Sequence, residues 1–233
     1  MKTLKKTLFD NERGLEIARQ LLHLFRKRRS TRHFHKSDPL DIKIIENAVA
    51  IAATAPSGAN KQPWTFSIIQ DEATKAKIRK WAEQEETQFY QDRQQQRWLN
   101  DLKPLRTTPE KSFLTEANYL IAIFSKPYNE EESLGKSPNY YVKESVGIAT
   151  GMLLAALHLS GLSTLTYTPS NRRYLSQLLN RQRNEVPFMI VAVGMSEDTT
   201  FHPQLSKKTL DEILDTYKGI QERPEYSRKD AEQ

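Results

Sequence analysis

The chain has 233 residues, of which 37% are hydrophobic, and a formal net charge of +6 at pH 7. This length permits one large domain with a substantial buried core. The absence of cysteine excludes disulfides, a thiol nucleophile and zinc–thiolate ligation. Residues 1–10 contain no long apolar run, and the most apolar stretch, residues 146–162, is shorter than the roughly 20 residues of a membrane span. We therefore expect a cytoplasmic protein with no secretory signal and no membrane attachment.

The positive charge is concentrated near the N-terminus. Residues 1–32 contain ten basic and three acidic side chains, a net charge of +7, so the rest of the chain sums to −1. A basic segment of this kind can bind nucleic acid. No recognised nucleic-acid motif follows it, and a local site for a phosphate group explains the charge with fewer assumptions. We therefore expect no nucleic-acid partner.

Hydrophobic spacing predicts an α+β domain in which helices surround a small sheet. Helices are predicted over residues 11–27, from a cap at 37–39 to about 53, from 71 to about 98, over 141–159, in a short segment ending near 179, and over 209–217. Strands are predicted over residues 64–70, 119–125, 162–167 and 186–195. Residues 99–113 and 126–139 are predicted as loops because they contain helix-breaking residues. No repeat or linker divides the chain, so we expect one domain over residues 1–233.

The predicted helix over residues 141–159 is the most apolar, and it carries Gly147, Gly151 and Ala155 at every fourth position. Such a stripe of small residues lets another helix approach closely. The stripe therefore favours a central helix or a helix at a subunit interface. The polar tail over residues 218–233 is either disordered or laid on a partner subunit.

Residues 28–32 read Arg-Arg-Ser-Thr-Arg, which places three guanidinium groups and two hydroxyl groups within five residues. A guanidinium group presents paired donors that match the oxygens of a phosphate. The stretch is therefore a candidate phosphate clamp. The alternative is a solvated basic end of the first helix, where cations are favoured in any case.

A loop of small residues follows, with the sequence Ala-Pro-Ser-Gly-Ala-Asn-Lys-Gln-Pro-Trp over residues 55–64. Small side chains let such a loop lie against a flat ligand. We expect Gly58 to adopt unusual backbone angles, and Pro56 and Pro63 to restrict others. Together with the clamp, the loop predicts a site for a phosphorylated, planar cofactor.

The second half of the long predicted helix, residues 83–90, is highly polar and should bury little surface. We interpret residues 83–113 as a candidate lid over a site. The alternative is an ordinary exposed helix. The sequence has no glycine-rich nucleotide loop and no nucleophile elbow. Its histidines have no metal-binding spacing, so we expect no metal.

Three stretches resemble the FMN-dependent nitroreductase superfamily over roughly residues 26–213. They are the Arg-Arg-Ser-x-Arg motif, the Ala-Pro-Ser-Gly-Ala loop with its Pro-Trp end, and the glycine-striped helix. Residues 54–66, 97–103 and 140–162 further resemble the iodotyrosine deiodinase branch. The resemblance implies a nitroreductase-like fold with a small, mostly antiparallel sheet. It also implies an intertwined homodimer with FMN sites at the subunit interface, a lid inserted at about 83–113, and a C-terminal extension at about 209–233.

In that branch the lid supplies a glutamate, a tyrosine and a lysine, and the matching positions here are Glu86, Tyr90 and Lys111. Glu86 can accept hydrogen bonds from the ammonium of an amino-acid substrate, and Lys111 and Tyr90 can donate to its carboxylate. Glu86 and Tyr90 are one helical turn apart, so they share a face. The resemblance also implies that the backbone N–H of Ala59 meets the phenolate oxygen of the substrate.

The same resemblance implies the cofactor contacts. The matching positions are Arg28, Arg29, Ser30, Thr31, Arg32, Pro56, Ser57, Gly58, Thr166, Tyr167, Thr168 and Lys207. Thr168 is expected to hydrogen-bond flavin N5 through its hydroxyl and to favour one-electron steps. Lys207 stands near the phosphate, where the family often has arginine. Tyr167 is larger than the resemblance leads us to expect, so its packing is left open.

The activity that the resemblance implies is reductive dehalogenation of halotyrosines by reduced FMN, with 3-iodotyrosine giving tyrosine and iodide. The electron source is left open between a separate reductase and NAD(P)H. One alternative is a general NAD(P)H-dependent nitroreductase or quinone reductase with the same fold and cofactor. Another is a non-catalytic protein that binds flavin or nucleic acid.

Overall fold

The computed structural model describes residues 10–35, 39–92, 95–131, 135–169, 173–196, 203 and 205–217. The chain divides into two units, residues 1–202 and residues 203–233. The helices of the first unit are α1 (Asn11–Lys27), α2 (Ile42–Ala52), α3 (Glu72–Gln91), α4 (Gln96–Leu102), α5 (Phe113–Glu116), α6 (Val142–Leu159) and α7 (Arg173–Leu178). Its strands are β1 (Trp64–Ile69), β2 (Tyr119–Ser125), β3 (Tyr128–Glu131), β4 (Gly135–Pro138), β5 (Ser163–Tyr167) and β6 (Val186–Gly194).

The core is an antiparallel sheet with the strand order β1-β2-β6-β5. Side chains alternate between its two faces because the strand period is two. In β2, Leu120 and Phe124 lie in the cluster that α3, α5 and α7 cover, and Ile121 and Ile123 lie in the cluster that α2 and α6 cover. The predicted α+β architecture with a small antiparallel sheet is confirmed.

Aspartates begin the first three helices. The side chains of Asp10, Asp41 and Asp71 accept hydrogen bonds from backbone N–H groups in the first turn. Those N–H groups have no partner inside the helix, so an acidic cap stabilises each start. The predicted cap of the second helix at residues 37–39 is therefore wrong, since α2 begins after Asp41; residues 36–38 themselves lie outside the described part.

Three other predicted boundaries are wrong. The long helix predicted to reach residue 98 ends at Gln91, where Asp92 is extended (φ −76°, ψ 115°), and α4 begins separately at Gln96. Residues 126–139, predicted as a loop, contain the antiparallel β3–β4 hairpin. The helix predicted over 209–217 is a short 3₁₀ helix, Leu210–Glu212.

Helix α6 differs from the sequence-based expectation that no segment is long and apolar enough to span a membrane. By length and composition alone, its 18 residues with a mean hydropathy of 1.2 would suffice to cross a membrane. Seven of them are buried in the chain, among them Val146, Ala149 and Leu153, which pack in the cluster shared with α2 and the sheet. This packing is that of a core helix.

Two faces of the first unit are not covered by the described part of the chain. Helix α1 buries none of its residues, and its apolar side chains Leu15 and Leu22 are each 52% exposed. On α6, a Cβ added at Gly147 or Gly151 would meet no described atom within 4 Å beyond the adjacent turns of the helix. Among the described residues, the apolar face of α1 and the small-residue stripe of α6 are therefore both left uncovered.

The second unit is described over residues 203 and 205–217. Its 3₁₀ helix begins with a capping box, in which the Glu212 carboxylate accepts from the backbone N–H of Thr209 at 2.7 Å and from its hydroxyl at 2.9 Å. Lys207 belongs to this unit and is exposed. The predicted tail over 218–233 lies outside the described residues.

Candidate functional site

The candidate phosphate clamp, residues 28–32, pairs with the edge strand β5. Ser30 forms a parallel β-bridge with Thr164, and the N–H of Thr31 donates to the carbonyl oxygen of Thr164 at 3.0 Å. Thr31 is buried, and partial burial of Arg32 lowers the pKa of its guanidinium group. The clamp is therefore attached to the sheet instead of forming a free end of α1.

A cationic cavity of about 280 Å³ lies along this segment. Its lining comprises Lys27, Arg28, Arg29, Thr31, His158, Gly161, Leu162, Ser163, Thr164 and Ser196. Cations together with hydroxyl groups suit an anion such as a phosphate. Arg29 also donates from Nη1 to the carbonyl oxygens of Arg26 and Arg28, at 2.6 and 3.0 Å. Arg29 therefore bonds to the end of α1 and also lines this cavity with Lys27 and Arg28, whereas Arg32 does not line it.

A larger cavity of about 570 Å³ lies at the C-terminal end of β5. It is lined by Arg32, His33, Glu86, Phe89, Tyr90, Trp98, Leu102, Arg106, Thr107, Thr108, Glu110, Lys111, Ser112, Phe113, Leu165, Thr166, Tyr167 and Thr168. One wall is the sheet edge, and the opposite wall is built from residues of the predicted lid. Residues of the predicted lid segment and the predicted flavin-edge residues of β5 therefore line the same cavity.

The three lid residues meet in this cavity. Lys111 Nζ lies 3.1 Å from Glu86 Oε2, and both side chains are largely buried, at 8% and 19% exposure. Lys111 Nζ also donates to the carbonyl oxygen of Thr108 at 2.5 Å and lies 5.8 Å from the ring centroid of Tyr90. The hydroxyl of Tyr90 donates to Thr107 Oγ1 at 2.9 Å. Opposite charges and a phenol are thus gathered at one end of the cavity.

The end of β5 presents alternating side chains. Thr166 and Thr168 are exposed, whereas Tyr167 is buried and packs edge-on against Phe113, with ring centroids 6.0 Å apart and planes at 67°. Burial, the charges of Glu86 and Glu85, and a hydrogen bond with the Glu86 carboxylate all raise the pKa of Tyr167. The large side chain at position 167 is therefore accommodated between β5 and the lid, where its phenol stays protonated.

The loop of small residues has three non-glycine residues in the left-handed region, Ala59 (φ 50°), Asn60 (φ 54°) and Gln62 (φ 48°). Gly58 is not in that region, so the expectation that it supplies the unusual backbone angles is wrong. A Cβ at Gly58 would instead lie 2.9 Å from the carbonyl oxygen of Tyr140. Glycine is required at position 58 because the chain preceding α6 approaches it closely.

The loop residues do not join the other predicted site residues within one chain. Pro56, Ser57, Gly58 and Ala59 line neither the 280 Å³ nor the 570 Å³ cavity. Lys207 lies in the second unit, and its predicted place near a phosphate stays a prediction. Among the described residues, no group of three or more histidines and carboxylates could hold a metal ion.

Sequence reasoning missed several residues around the lid. Thr107, which accepts from Tyr90, lies in a stretch predicted only as loop. Phe89 and Trp98 form an edge-on pair with centroids 5.1 Å apart, and Trp98 is 59% exposed. Arg79 and Glu83 were also missed, although Glu83 accepts a hydrogen bond from the backbone of Lys111. Their spacing of four residues could have indicated that they share one face of the helix.

Comparison with known proteins places these features in context. The nitroreductase family model matches residues 25–195. An iodotyrosine deiodinase from Haliscomenobacter hydrossis is 43% identical over 209 residues, covering 90% of this chain and 94% of that protein. Human iodotyrosine deiodinase 1 is 40% identical over 200 residues, covering 85% of this chain and 69% of that protein. A crystal structure of oxidised iodotyrosine deiodinase bound to FMN and 3-iodo-L-tyrosine matches with a TM-score of 0.71 and 33% identity, covering 86% of this chain and 100% of that chain.

Proposed function

This chain belongs to the nitroreductase family and, within it, to the iodotyrosine deiodinases, and we propose that it is an FMN-dependent enzyme that reductively removes iodide from 3-iodotyrosine. The observation that carries the proposal is the pairing of Lys111 with Glu86 inside the cavity at the end of β5. An amino-acid substrate carries one ammonium and one carboxylate. The two lid charges match these groups one for one.

The residues along β5 fit FMN. The cationic cavity suits its phosphate, with Arg28 and Lys27 as donors, and the exposed hydroxyls of Thr166 and Thr168 lie where the larger cavity meets the strand. When bound and reduced, FMN supplies the redox chemistry that no amino-acid side chain here supplies. In the net reaction the C–I bond takes up two electrons and one proton and breaks to give tyrosine and iodide.

The chain's own residues bind and orient the substrate. Glu86 accepts hydrogen bonds from the substrate ammonium, and Lys111 and Tyr90 donate to its carboxylate. Each lid charge therefore exchanges its partner in the chain for a partner on the substrate, and neither is left buried without a counter-charge. Closure of the lid, with Phe89 and Trp98, excludes water from the reacting bond.

Two further contacts complete the proposal. The hydroxyl of Thr168 would hold bound flavin at N5, where it would favour one-electron transfer, and the N–H of Ala59 would bind the phenolate oxygen of the substrate. Because Ala59 and its neighbours line neither cavity of their own chain, we assign them to the cavity of a second subunit. The uncovered faces of α1 and α6 support this homodimer. We further propose a cytoplasmic location, with a separate reductase or NAD(P)H as the electron source.

The test is an anaerobic titration of the oxidised, FMN-loaded protein with 3-iodotyrosine, followed by flavin fluorescence. The complex is then reduced with dithionite and assayed for iodide and tyrosine. We expect saturable quenching and release of one iodide for each tyrosine formed. Absence of both quenching and iodide release, together with fast NADH-dependent reduction of a nitroaromatic, would instead identify a general nitroreductase.

A further inference from the structure

Four residues of α3 face the segment that carries Lys111. Arg79, Glu83, Glu86 and Tyr90 are spaced by four, three and four residues, so they form one stripe along the helix. Glu86 and Tyr90 are the lid residues of the proposed substrate site. Arg79 and Glu83 occupy the preceding turns and line no part of the 570 Å³ cavity. Their contacts therefore need a separate explanation.

Glu83 holds the backbone of Lys111. Its Oε1 atom accepts from the N–H of Lys111 at 2.9 Å and from Nε of Arg79 at 2.7 Å. Burial raises the pKa of Glu83, but the hydrogen bonds from Lys111 and Arg79 and their charges outweigh it, so the pKa stays below its ordinary value. Glu83 is thus a charged acceptor for a single backbone donor.

Arg79 holds the segment on both sides of Lys111. Its Nη2 atom lies 3.2 Å from Glu110 Oε1, and its Nη1 atom donates to Thr115 Oγ1 at 3.0 Å. One guanidinium group therefore connects Glu83 to positions before and after Lys111. A planar fork can satisfy three such partners at once, which an ammonium on a flexible stem does less well.

Lys111 is consequently held at both ends by α3. Glu83 binds its backbone N–H, and Glu86, one turn further along, binds its ammonium. When a substrate binds Glu86, two contacts of Lys111 remain: its backbone N–H bonds to Glu83 on α3, and its ammonium bonds to the carbonyl oxygen of Thr108, three positions earlier in the same segment. Of these, the bond to Glu83 is the one that fixes the Lys111 backbone to α3 opposite the substrate carboxylate. We infer that Arg79 and Glu83 are positioning residues, which fix the Lys111 backbone so that its ammonium meets the carboxylate of the substrate. This inference rests on the proposed function.

The test compares two ligands of the oxidised, FMN-loaded protein. 3-Iodotyrosine carries the zwitterion, and 2-iodophenol carries the same iodinated phenol without it. For Glu83→Ala we expect the dissociation constant of 3-iodotyrosine to rise on the order of tenfold or more, because small misplacements of a positioned group are costly. The dissociation constant of 2-iodophenol should stay within twofold. Gln84→Ala, at an exposed position on the same helix, is the matched control.

Two conservative variants separate positioning from a merely structural role. Glu83→Gln keeps an oxygen for the Lys111 N–H and should restore part of the 3-iodotyrosine affinity. Arg79→Lys keeps the charge but not the three-way contact, so it should weaken the binding of 3-iodotyrosine and leave the binding of 2-iodophenol unchanged. Equal losses of affinity for both ligands, or no loss of affinity for either, would overturn the inference. If Glu83→Ala does not fold, Arg79→Lys decides on the same criterion. Failure of the wild-type protein to bind 3-iodotyrosine would instead refute the proposed function.

Discussion

Lys111 Nζ and Glu86 Oε2 lie 3.1 Å apart, so the cation and the anion of the lid neutralise each other within one chain. Both side chains are largely buried, where an unpaired charge is costly. A substrate that carries both charges can separate the pair without leaving either partner alone. A ligand that carries one charge, or none, cannot. The pair therefore favours zwitterions over simple phenols.

Replacement of Lys111 by alanine leaves Glu86 buried without its cation and, on the proposed function, removes the donor to the substrate carboxylate. We expect 3-iodotyrosine to bind more weakly by about 2 kcal/mol, which is roughly 30-fold. Fluorescence titration of the FMN-loaded variant gives the dissociation constant, with 2-iodophenol as the ligand control and Lys143→Ala as the control variant. An unchanged dissociation constant would show that Lys111 and the lid do not contact the substrate.

The hydroxyl of Thr168 can be tested without disturbing the lid. Thr168→Ala should slow iodide release from 3-iodotyrosine roughly tenfold, because one hydrogen bond worth about 1.4 kcal/mol is lost where electrons are transferred. The FMN dissociation constant should stay within threefold. Thr168→Ser keeps the hydroxyl and should recover most of the rate. A full rate in Thr168→Ala would exclude the proposed N5 contact.

The small-residue stripe of α6 provides a test of the homodimer. A Cβ added at Gly151 would meet none of the described residues beyond the adjacent turns of α6, so we expect Gly151→Leu to leave the fold of a single subunit intact. In a dimer packed through this stripe the added side chain would push the helices apart. We expect sedimentation equilibrium to show at least a tenfold weaker dimer and reduced FMN retention. Gly151→Ala is the control, and an unaltered dimer in Gly151→Leu would place the interface elsewhere.

Tyr167 should make the protein sensitive to alkali. Burial raises the pKa of its phenol in the folded state, and the nearby carboxylates add to this. The unfolded phenol ionises near pH 10, so the stabilisation is complete below about pH 10 and is lost as the pH rises further. Tyr167→Phe should show a shallower loss of unfolding free energy between about pH 9 and pH 11 in urea titrations. Tyr140→Phe, at an exposed position, is the control.

Glu185 should make the protein sensitive to acid. Its buried carboxylate lies 2.7 Å from Arg181 and 3.4 Å from Lys126 and accepts from the hydroxyl of Thr65 at 2.6 Å. Burial raises the pKa of Glu185, but these hydrogen bonds and charges outweigh it and lower the pKa. The stabilisation is present above the unfolded value near 4.3 and is lost as the pH falls through the folded pKa.

At neutral pH, Glu185→Gln should therefore reduce the free energy of unfolding by about 3 kcal/mol, because two cations lose their buried partner. The difference from the wild-type protein should shrink below about pH 4, where the glutamate becomes protonated. Denaturant titrations at a series of pH values measure this difference in unfolding free energy, with Glu46→Gln, at an exposed position, as the control. A difference that does not vary with pH would show that ionisation of Glu185 is not what stabilises this contact.

The parts of the fold that local patterns determine were predictable. The apolar run of β2 and the amphipathic spacing of α1 depend on residues close in sequence, and both were placed correctly. The end of α3 at Gln91 was not, because no proline or glycine marks it. The β3–β4 hairpin was missed for the opposite reason, since its short, polar strands include Gly135 and Pro138, residues that favour a loop.

In the candidate site, too, features that depend on local sequence were predicted and features that depend on distant contacts were not. The arginines of the clamp were found from their chemistry, whereas the association of Glu86, Tyr90 and Lys111 came from a family resemblance. The purpose of Gly58 was misjudged, because it depends on contact with Tyr140, far away in the sequence. The spacing of Arg79 and Glu83 can be read from the sequence. The hydrogen bond between Glu83 and the backbone of Lys111 joins residues 28 positions apart and is evident only in the folded chain.

The pairing of residues 28–34 with the sheet also bears on how the protein acquires its cofactor during synthesis. Ser30 pairs with Thr164 and Phe34 pairs with Ser196, so the segment that carries the N-terminal arginines is attached to the sheet through residues that leave the ribosome much later. Contacts between such distant residues form late in folding. On the proposed function, a nascent chain that ends before Thr164 has the clamp's arginines but lacks the strand residue with which Ser30 pairs. FMN capture must then follow translation of most of the chain, and the vitamin-derived cofactor would stabilise the finished protein without guiding its early folding.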